Sequence, residues 1–427
     1  MTIDLGNVSA PAPSRPWSPR VAGARPLALV AVVLVALALG GSAAPAPQVR
    51  AVLVTDELPG AFELSRSALF TTGYVGARAQ VRRYALTGTS TGWTTELSQP
   101  VGNVDLAEAA GVLVVSSPEN LQASFLDSET GDVLWRRTSG ATTVLRTTAD
   151  SALMTSPVGA GGDVVLERVG LRTGLTQWTR RLEAGGYLGT GDPAGGGIVT
   201  VDRRGRGSVL SLADGAVVST VGFGVVPELD QFDDTDYTAR FVTVGDRLYL
   251  TRRQGGVGSL TAYRLPDLRL LWRDTTMPFG WPTGCGPYLC LSTATGMTVV
   301  DAATGAKRWS STQWRLGYDS RALGIPGPFR LVVSDARHTL SNALLDPATG
   351  QVLADLGDNL LIGPLVLRVD TERTGRIWIQ AVGPRGDLRT LGSLDGESLD
   401  RCVAEGEHLA CATRRGRASV WRAELGR

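Results

Sequence analysis

Histidine and cysteine are scarce in this chain of 427 residues, which contains only His338, His408 and four cysteines. That scarcity argues against a multi-metal centre or a histidine-driven enzyme, because such sites need several of these side chains. Charged residues are also few, at 19%, and 42 basic against 41 acidic side chains leave a formal charge of +1. Because the charge is balanced, the composition excludes a broad electrostatic surface for nucleic acid.

Catalytic motifs are absent as well. No serine-hydrolase elbow, zinc-protease helix, Walker loop or dinucleotide-binding glycine pattern occurs in a convincing context. Asp127, Asp301 and Asp346 look like a set of carboxylates, but each opens a tight turn, where Asp bonds the backbone of its own turn. Hydrophobic residues make up 43% of the chain, enough to bury a large core. The composition therefore indicates a folded protein without a recognisable catalytic centre.

Long apolar runs are absent except for one near the N-terminus. The 24 residues from Pro26 to Val49 include no charged side chain and are enough to cross a hydrocarbon core of about 30 Å. The resulting prediction has four parts: a disordered cytoplasmic tail over 1–25, a transmembrane helix over 26–44, a Pro/Ala spacer over 45–49 and an exported domain over 50–427.

The orientation of the apolar segment follows from the charges around it. Arg15, Arg20 and Arg25 precede it against a single Asp4, and an excess of positive charge normally stays in the cytoplasm. We therefore expect a single-pass protein of the cell membrane with a cytoplasmic N-terminus and its main domain outside. The densely apolar part, Leu27–Leu39, is also short enough for a cleaved signal peptide, and that alternative stays open.

The exported part contains an internal repeat built on a Thr-Gly turn with a Trp four residues after the Gly. Strong copies end at Trp135, Trp178 and Trp309, and the motif recurs at intervals of 36 to 53 residues. Short runs with alternating apolar residues flank each turn and favour four antiparallel strands per repeat. Such sheets arranged radially form a propeller, which leaves few exposed edges. Weaker copies of the motif end at Trp93, Ser219, Trp272, Ala354 and Thr390.

The two ends of this domain are predicted to meet in one blade. The C-terminal residues form three strands without a fourth, and the strand Arg50–Thr55 can supply it. Large apolar indoles are expected to pack between neighbouring blades. We assign that role to Trp93, Trp135, Trp178, Trp272, Trp309 and Trp421.

The signature D-x-x-T-G-x-x-x-W resembles the repeat of the PQQ-type, or quinoprotein-like, β-propellers, and it covers essentially the whole exported part. The resemblance implies the fold and not the cofactor, because many members of that superfamily are non-enzymatic. Eight turns plus the shared blade give nine blades when counted literally. Because known relatives have seven or eight, we expect about eight four-stranded blades in an all-β propeller.

The cysteines are expected to form two disulfides, since an exported chain meets oxidising conditions. Cys285 and Cys290 are symmetric about Pro287-Tyr288, and Cys402 and Cys411 about Gly406-Glu407. Both pairs then fall on non-hydrogen-bonded positions of a hairpin, where the Cα atoms come close enough for a disulfide. Zinc binding is disfavoured because neither spacing matches a zinc ligand pair.

Two sets of charged residues are weak candidates for binding. Asp230, Asp233, Asp234 and Asp236 crowd into the longest interval between repeats, where they form a calcium site, an acidic docking patch or simply a solvated loop. Basic clusters occupy hairpin turns and favour either solvated charge or contact with anionic envelope components. They are Arg203, Arg204 and Arg206; Arg252 and Arg253; and Arg414, Arg415 and Arg417.

The expected function is that of a non-catalytic, membrane-anchored scaffold without a cofactor, monomeric, and bound to another protein of a bacterial cell envelope. A bacterial origin is favoured by the single lysine, Lys307, against 41 arginines. The architecture also resembles the propeller subunit of the outer-membrane β-barrel assembly machinery, an analogy of fold alone. The alternative is a small dehydrogenase dependent on PQQ and calcium. The resemblance counts against it, because the adjacent cysteine pair of the quinoprotein alcohol dehydrogenases is missing.

Overall fold

The structure is a computed structural model that describes residues 49–425 in part. The undescribed gaps within that range are 56–59, 77, 87–91, 101–103, 118–121, 139–142, 159–162, 184–185, 192–196, 226–238, 255–256, 279, 294, 320–322, 324, 326–327, 337–340, 371–375, 384, 395–398 and 414–416. The predicted tail, transmembrane helix and nearly all of the spacer lie outside the described residues. Every regular element in the described part is a β-strand, and none of its elements is a helix suited to crossing a membrane.

The strands of the described residues form nine four-stranded antiparallel sheets, and eight of these are meanders in chain order. Blades 1 to 4 contain β2 (Phe62–Leu64), β3 (Ala68–Val75), β4 (Arg78–Ala85) and β5 (Trp93–Pro100); β6 (Asp105–Ala109), β7 (Val112–Ser117), β8 (Gln122–Asp127) and β9 (Val133–Arg137); β10 (Thr143–Thr147), β11 (Ser151–Val158), β12 (Asp163–Gly170) and β13 (Thr176–Leu182); and β14 (Tyr187–Thr190), β15 (Ile198–Val201), β16 (Arg206–Leu210) and β17 (Val217–Gly222).

Four further blades continue the same pattern, and the ninth combines both ends of the domain. These blades contain β18 (Ala239–Val244), β19 (Arg247–Gln254), β20 (Val257–Arg264) and β21 (Arg269–Asp274); β22 (Trp281–Cys285), β23 (Tyr288–Thr293), β24 (Gly296–Asp301) and β25 (Lys307–Ser311); β26 (Trp314–Asp319), β27 (Leu331–Asp335), β28 (Asn342–Leu345) and β29 (Val352–Gly357); β30 (Leu360–Ile362), β31 (Leu365–Asp370), β32 (Arg376–Val382) and β33 (Leu388–Leu394); and β34 (Leu399–Glu405), β35 (His408–Thr413), β36 (Arg417–Ala423) and β1 (Val49–Val54).

The core lies between the blades rather than in one central mass. Nine clusters of buried apolar side chains occur among the described residues, and each spans two neighbouring blades. One of them joins Leu64 and Leu69 of blade 1 to Ala410 and Val420 of blade 9, so the ring is closed. The chain is therefore an all-β propeller.

The expected number of about eight blades was wrong, because the ring has nine. The literal count of turns was right, since each weak copy of the motif joins a third strand to a fourth. The copy ending at Ser219 connects β16 to β17, and the copy ending at Thr390 connects β32 to β33. The apolar alternation of the flanking strands is enough to make these hairpins without Trp; in β32, Ile377, Ile379 and Ala381 are buried in turn.

The predicted closure by the N-terminal strand is confirmed. Strand β1 pairs antiparallel with β36 from Val49 opposite Ala423 to Val54 opposite Ser419. Beyond the strand, Thr55 is buried and exchanges two hydrogen bonds with Ala418, through its backbone N–H and its hydroxyl oxygen. The first and last strands of the domain are therefore held together in one sheet.

Two faces of the ring are defined by the turns. In a four-stranded meander the first-to-second and third-to-fourth turns lie at one end, and we call this side face A. The second-to-third turns and the connections between blades lie at the other end, which we call face B. Because Val49 pairs with the last residue of β36, a third strand, the chain enters the ring on face A.

The indoles of the motif contact the turn of the following blade rather than their own. Trp93 donates a hydrogen bond from Nε1 to the carbonyl of Ser128 at 3.1 Å, and a Cβ on Gly131 would lie 2.5 Å from its ring. The pattern recurs four times. Trp135, Trp178, Trp272 and Trp309 donate to Leu171, Leu212, Ala302 and Pro347 and cover Gly174, Gly215, Gly305 and Gly350.

Trp421 occupies a different place. It lies in β36, a third strand, where its side chain is buried against Leu365 and Leu367 of the preceding blade. It thus belongs to the interface between blades 8 and 9 but lacks the glycine contact of the other five.

Candidate functional site

The predicted acidic group lies outside the described residues, and so does His338. The group consists of Asp230, Asp233, Asp234 and Asp236. Within the described part of the chain, no three His, Cys, Asp or Glu side chains come together as metal ligands would.

The aspartates of the motif are occupied by their own turns. The Asp301 carboxylate accepts hydrogen bonds from the backbone N–H groups of Ala303 and Thr304, each at 3.0 Å, and from Arg308 at 2.7 Å. The bond from Arg308 is the main cause that lowers the pKa of Asp301 to about 2. Asp127 and Asp346 accept turn bonds in the same way. These carboxylates hold the turns together and lie on different blades.

Both predicted disulfides are present, Cys285–Cys290 and Cys402–Cys411. Cys402 and Cys411 are directly opposite, with their Cα atoms 4.1 Å apart, as the hairpin register predicts. The predicted register of the other pair was wrong, because its turn is Gly286-Pro287 and Cys290 lies opposite Thr283. Gly286 has φ +67°, which the tight turn needs and Tyr288 would adopt only with strain, so the turn moves one residue earlier.

Replacement of Cys402 and Cys411 by Ala is expected to lower the free energy of unfolding by about 2 kcal/mol, because the open chain gains loop entropy. Urea unfolding under oxidising conditions measures the loss. The double Ala variant of Cys285 and Cys290 is the matched control and should lose slightly less, since its loop is shorter. Unchanged stability of both variants would contradict the assigned role.

The remaining histidine is a structural residue of blade 9. His408 is 8% exposed, and its Nε2 has no hydrogen-bond partner in the described part of the structure. Burial lowers the pKa of His408 below its ordinary value, and the nearby Arg422 lowers it further. The side chain is therefore held neutral near pH 7.

The described members of the basic clusters lie on face B, in different blades. Arg203, Arg204 and Arg206 flank the second-to-third turn of blade 4, and Arg252 lies at the corresponding hairpin of blade 5. Arg417 occupies the same position in blade 9. Arg78 and Arg368 do so in blades 1 and 8, which the sequence analysis did not single out. None of these side chains has an ion pair or hydrogen bond to the described residues, and Arg414 and Arg415 lie outside them.

Face A carries several ion pairs in its turns. Ion pairs join Arg172 to Asp127, Arg308 to Asp301 and Arg264 to Asp267 within or between its turns. A cavity of about 400 Å³ also opens on this face, where blades 9, 1 and 2 meet. Its charged lining residues are Glu63, Arg66, Glu108, Glu129 and Glu405.

This cavity was not predicted from the sequence. Glu63 and Glu108 lie on the first strands of blades 1 and 2, and Glu405 ends the first strand of blade 9. None of the three belongs to the repeated turn motif, and only the closed ring brings them together. The signal that could have found them is an acidic residue at the end of a first strand in three blades that are consecutive around the ring.

Comparisons with known proteins show no matching family model and no matching curated protein. Among solved structures, BamB from Moraxella catarrhalis is 15% identical with a TM-score of 0.42, over 74% of this chain and 96% of that one. A europium-containing methanol dehydrogenase is 11% identical with a TM-score of 0.42, over 88% and 94%. The quinohemoprotein alcohol dehydrogenase ADHIIG from Pseudomonas putida HK5 is 12% identical with a TM-score of 0.40, over 89% and 77%. At these values the similarities carry no argument about activity, ligand or partner.

Proposed function

We propose that this chain is a membrane-anchored propeller of the bacterial cell envelope that acts outside the membrane as a non-catalytic scaffold for another protein. The apolar segment over 26–44 and the basic residues before it support the anchor and its direction. The single lysine among the basic residues supports a bacterial origin.

One observation on face B carries the scaffold role. The hairpin tips of the consecutive blades 8, 9 and 1 each present an arginine without a partner among the described residues, at Arg368, Arg417 and Arg78. Large apolar side chains are exposed beside these arginines. They are Val369 next to Arg368, Val54 near Arg417, and Tyr74 and Val75 before Arg78.

This combination is typical of a protein-binding surface. Exposed apolar side chains lose contact with water when a partner covers them, and each fully buried one contributes about 1.5–3 kcal/mol. Arginine and tyrosine are enriched at interfaces, and an unpaired guanidinium can bind a carboxylate of the partner with two parallel hydrogen bonds. Face B of blades 8, 9 and 1 is therefore the proposed docking surface.

Crosslinking in the native cells tests this proposal. The full-length tagged chain is crosslinked, purified from membranes washed with high salt, and its partners are identified by mass spectrometry. Replacement of Arg78, Arg368 and Arg417 by Ala is expected to reduce recovery of a specific partner about tenfold, since about 1.4 kcal/mol of lost binding energy is a factor of ten.

The matched control replaces three exposed basic residues of face A, Arg269, Lys307 and Arg385, by Ala. It should recover the same partner at the wild-type level. Equal losses from both variants, or the absence of any specific partner, would count against the docking surface. Reduction of a dye by the purified chain with PQQ, calcium and an alcohol would instead support the enzyme alternative.

A further inference from the structure

The face-A cavity lies at the place where the ring closes. Its acidic side chains come from blade 9 through Glu405, from blade 1 through Glu63 and from blade 2 through Glu108 and Glu129. Three of these glutamates lie on the first strands of their blades, and β2, which carries Glu63, contacts both β34 and β6. Three neighbouring blades therefore bring carboxylates into one space.

Two of these glutamates have a cationic partner. Glu129 accepts a hydrogen bond from Arg83 Nη2 at 2.8 Å, and the Arg83 side chain is 2% exposed. The Oε1 atom of Glu405 lies 3.5 Å from Nε of Arg66, but Arg66 is almost fully exposed, so water and salt screen this pair.

The other two glutamates have no ion pair to a described residue. Glu108 accepts a hydrogen bond from the backbone N–H of Gly111 at 3.0 Å, which neutralises no charge. Glu63 is half-buried between Glu108 and Glu405. Its carboxylate therefore faces two other carboxylates across the blade boundaries.

Three more charged or titratable groups of blade 9 lie close by. Arg401 donates a hydrogen bond to the carbonyl of Gly60 at 2.9 Å, and Arg422 is paired with Glu407 at 2.8 Å. His408 lies directly opposite Glu405 in the β34–β35 pair and is held neutral. None of the three forms an ion pair with Glu63 in the described structure.

We propose that these carboxylates make the closure of the ring responsive to pH: a proton taken up by Glu63 removes a repulsion between blades 9, 1 and 2 and tightens the boundary at which β1 closes the propeller. The proton comes from solvent through the open cavity. The contribution of Glu63 to this boundary is then most favourable at acidic pH.

The direction of the effect follows from the environment of Glu63. Burial raises the pKa of its carboxyl above the ordinary value of 4.5, and the charges of Glu108 and Glu405 raise it further, while a backbone hydrogen bond from Glu108 opposes them. At neutral pH Glu63 is ionised in the folded and the unfolded chain, and its charge costs stability only in the folded one. As the pH falls through the raised pKa, the folded chain takes up the proton first, and that cost disappears.

The test compares thermal unfolding of the full-length wild type and Glu63→Gln in detergent across pH. Gln resembles the protonated acid, so the variant is expected to melt about 2 °C above wild type near pH 7.5, with the difference shrinking as the pH falls and vanishing below about pH 4. The buried, neutral His408 lowers stability when acid protonates it. Because both proteins contain His408, this effect cancels in the difference between their melting temperatures. Glu96→Gln is the control, since Glu96 is exposed on β5 and outside the cavity; it should match wild type at every pH.

Hydrogen exchange locates the effect. After correction for intrinsic rates, peptides covering β1 and β2 of the wild type should exchange more slowly at about pH 5 than at about pH 7.5, and this change should be absent in Glu63→Gln. A melting difference that is the same at all pH values, no difference at all, or the same behaviour in Glu96→Gln would overturn the proposal. Slower exchange spread evenly over the nine blades would also overturn it.

Discussion

A full-length chain whose residues 49–55 are replaced by a Gly/Ser sequence of equal length is expected to melt about 10 °C below wild type. Strand β1 supplies the whole outer edge of blade 9, and its pairing partner β36 would be left with unpaired backbone groups. Val52 and Leu53 pack on the apolar cluster between blades 9 and 1, so that cluster would also lose contacts. Thermal unfolding followed by circular dichroism measures the change.

The matched control replaces β17 in the same way. This strand is also a fourth strand, also lacks the motif Trp, and is similar in length, but both of its ends continue into neighbouring blades. Replacement of β17 should therefore lower the melting temperature less than replacement of β1, because the chain still connects blade 4 to both of its neighbours. If the two replacements lowered the melting temperature equally, β1 would be an ordinary fourth strand with no special part in closure.

Most of the fold could be predicted because the information is local. Each hairpin can be predicted by itself, because its signals fall within about ten residues. These signals are a Thr-Gly turn and the alternation of apolar and polar residues in the two strands beside it. The pairing of β1 with β36 was also predictable, because three strands at the C-terminus lack a fourth. The prediction of the blade number was wrong for a different reason. The turns indicated nine blades, but the expected number followed the seven or eight blades of the family that the repeat resembles.

What local patterns could not show is which residues share an interface. The Trp and Gly of one motif copy belong to different contacts, since the Trp covers the Gly of the next blade. This explains the weak copies in blades 4 and 5. Blade 4 has Ser219 where Trp would stand, and the turn of blade 5 has Leu268 at φ +54° where Gly would stand. Because blade 4 has no indole to cover the turn of blade 5, the Cβ of Leu268 is tolerated there. The Trp and the Gly of this contact are therefore both absent at the boundary between blades 4 and 5.

The candidate site was hidden for the same reason. Glu63 and Glu405 are 342 positions apart in the sequence and meet only because the last blade closes on the first. Of the face-B arginines, Arg203, Arg252 and Arg417 were visible as members of charge clusters, but Arg78 and Arg368 stand outside any cluster, and the sequence did not show that all of them share one face. Predicting either feature requires the blade order around the ring, and not only the strands of each blade.

The largest effect of a single added carbon atom is expected at the Trp-Gly contact, where Gly305→Ala should lower the free energy of unfolding by about 3 kcal/mol. Gly305 has φ +76°, and its new Cβ would lie 2.6 Å from Cε3 of Trp272. The indole cannot move away easily, because its Nε1 is bonded to the carbonyl of Ala302 at 3.2 Å. The cost therefore has two parts, backbone strain and overlap with the ring.

Gly245→Ala separates these two parts. Gly245 also has positive φ, +57°, but nothing lies within 4 Å of its Cβ position, so only the strain of about 1 kcal/mol should appear. A double-mutant cycle isolates the overlap: Trp272→Ala alone is expected to cost about 3 kcal/mol, and adding Gly305→Ala to it should cost only about 1 kcal/mol more. Denaturant unfolding of the four proteins measures these values. Additive effects of the two substitutions would contradict the contact between the indole and the glycine of the next blade. The same holds if Gly305→Ala lowered stability no more than Gly245→Ala. In either case, the Trp-Gly contact at five blade boundaries would not set the spacing between blades.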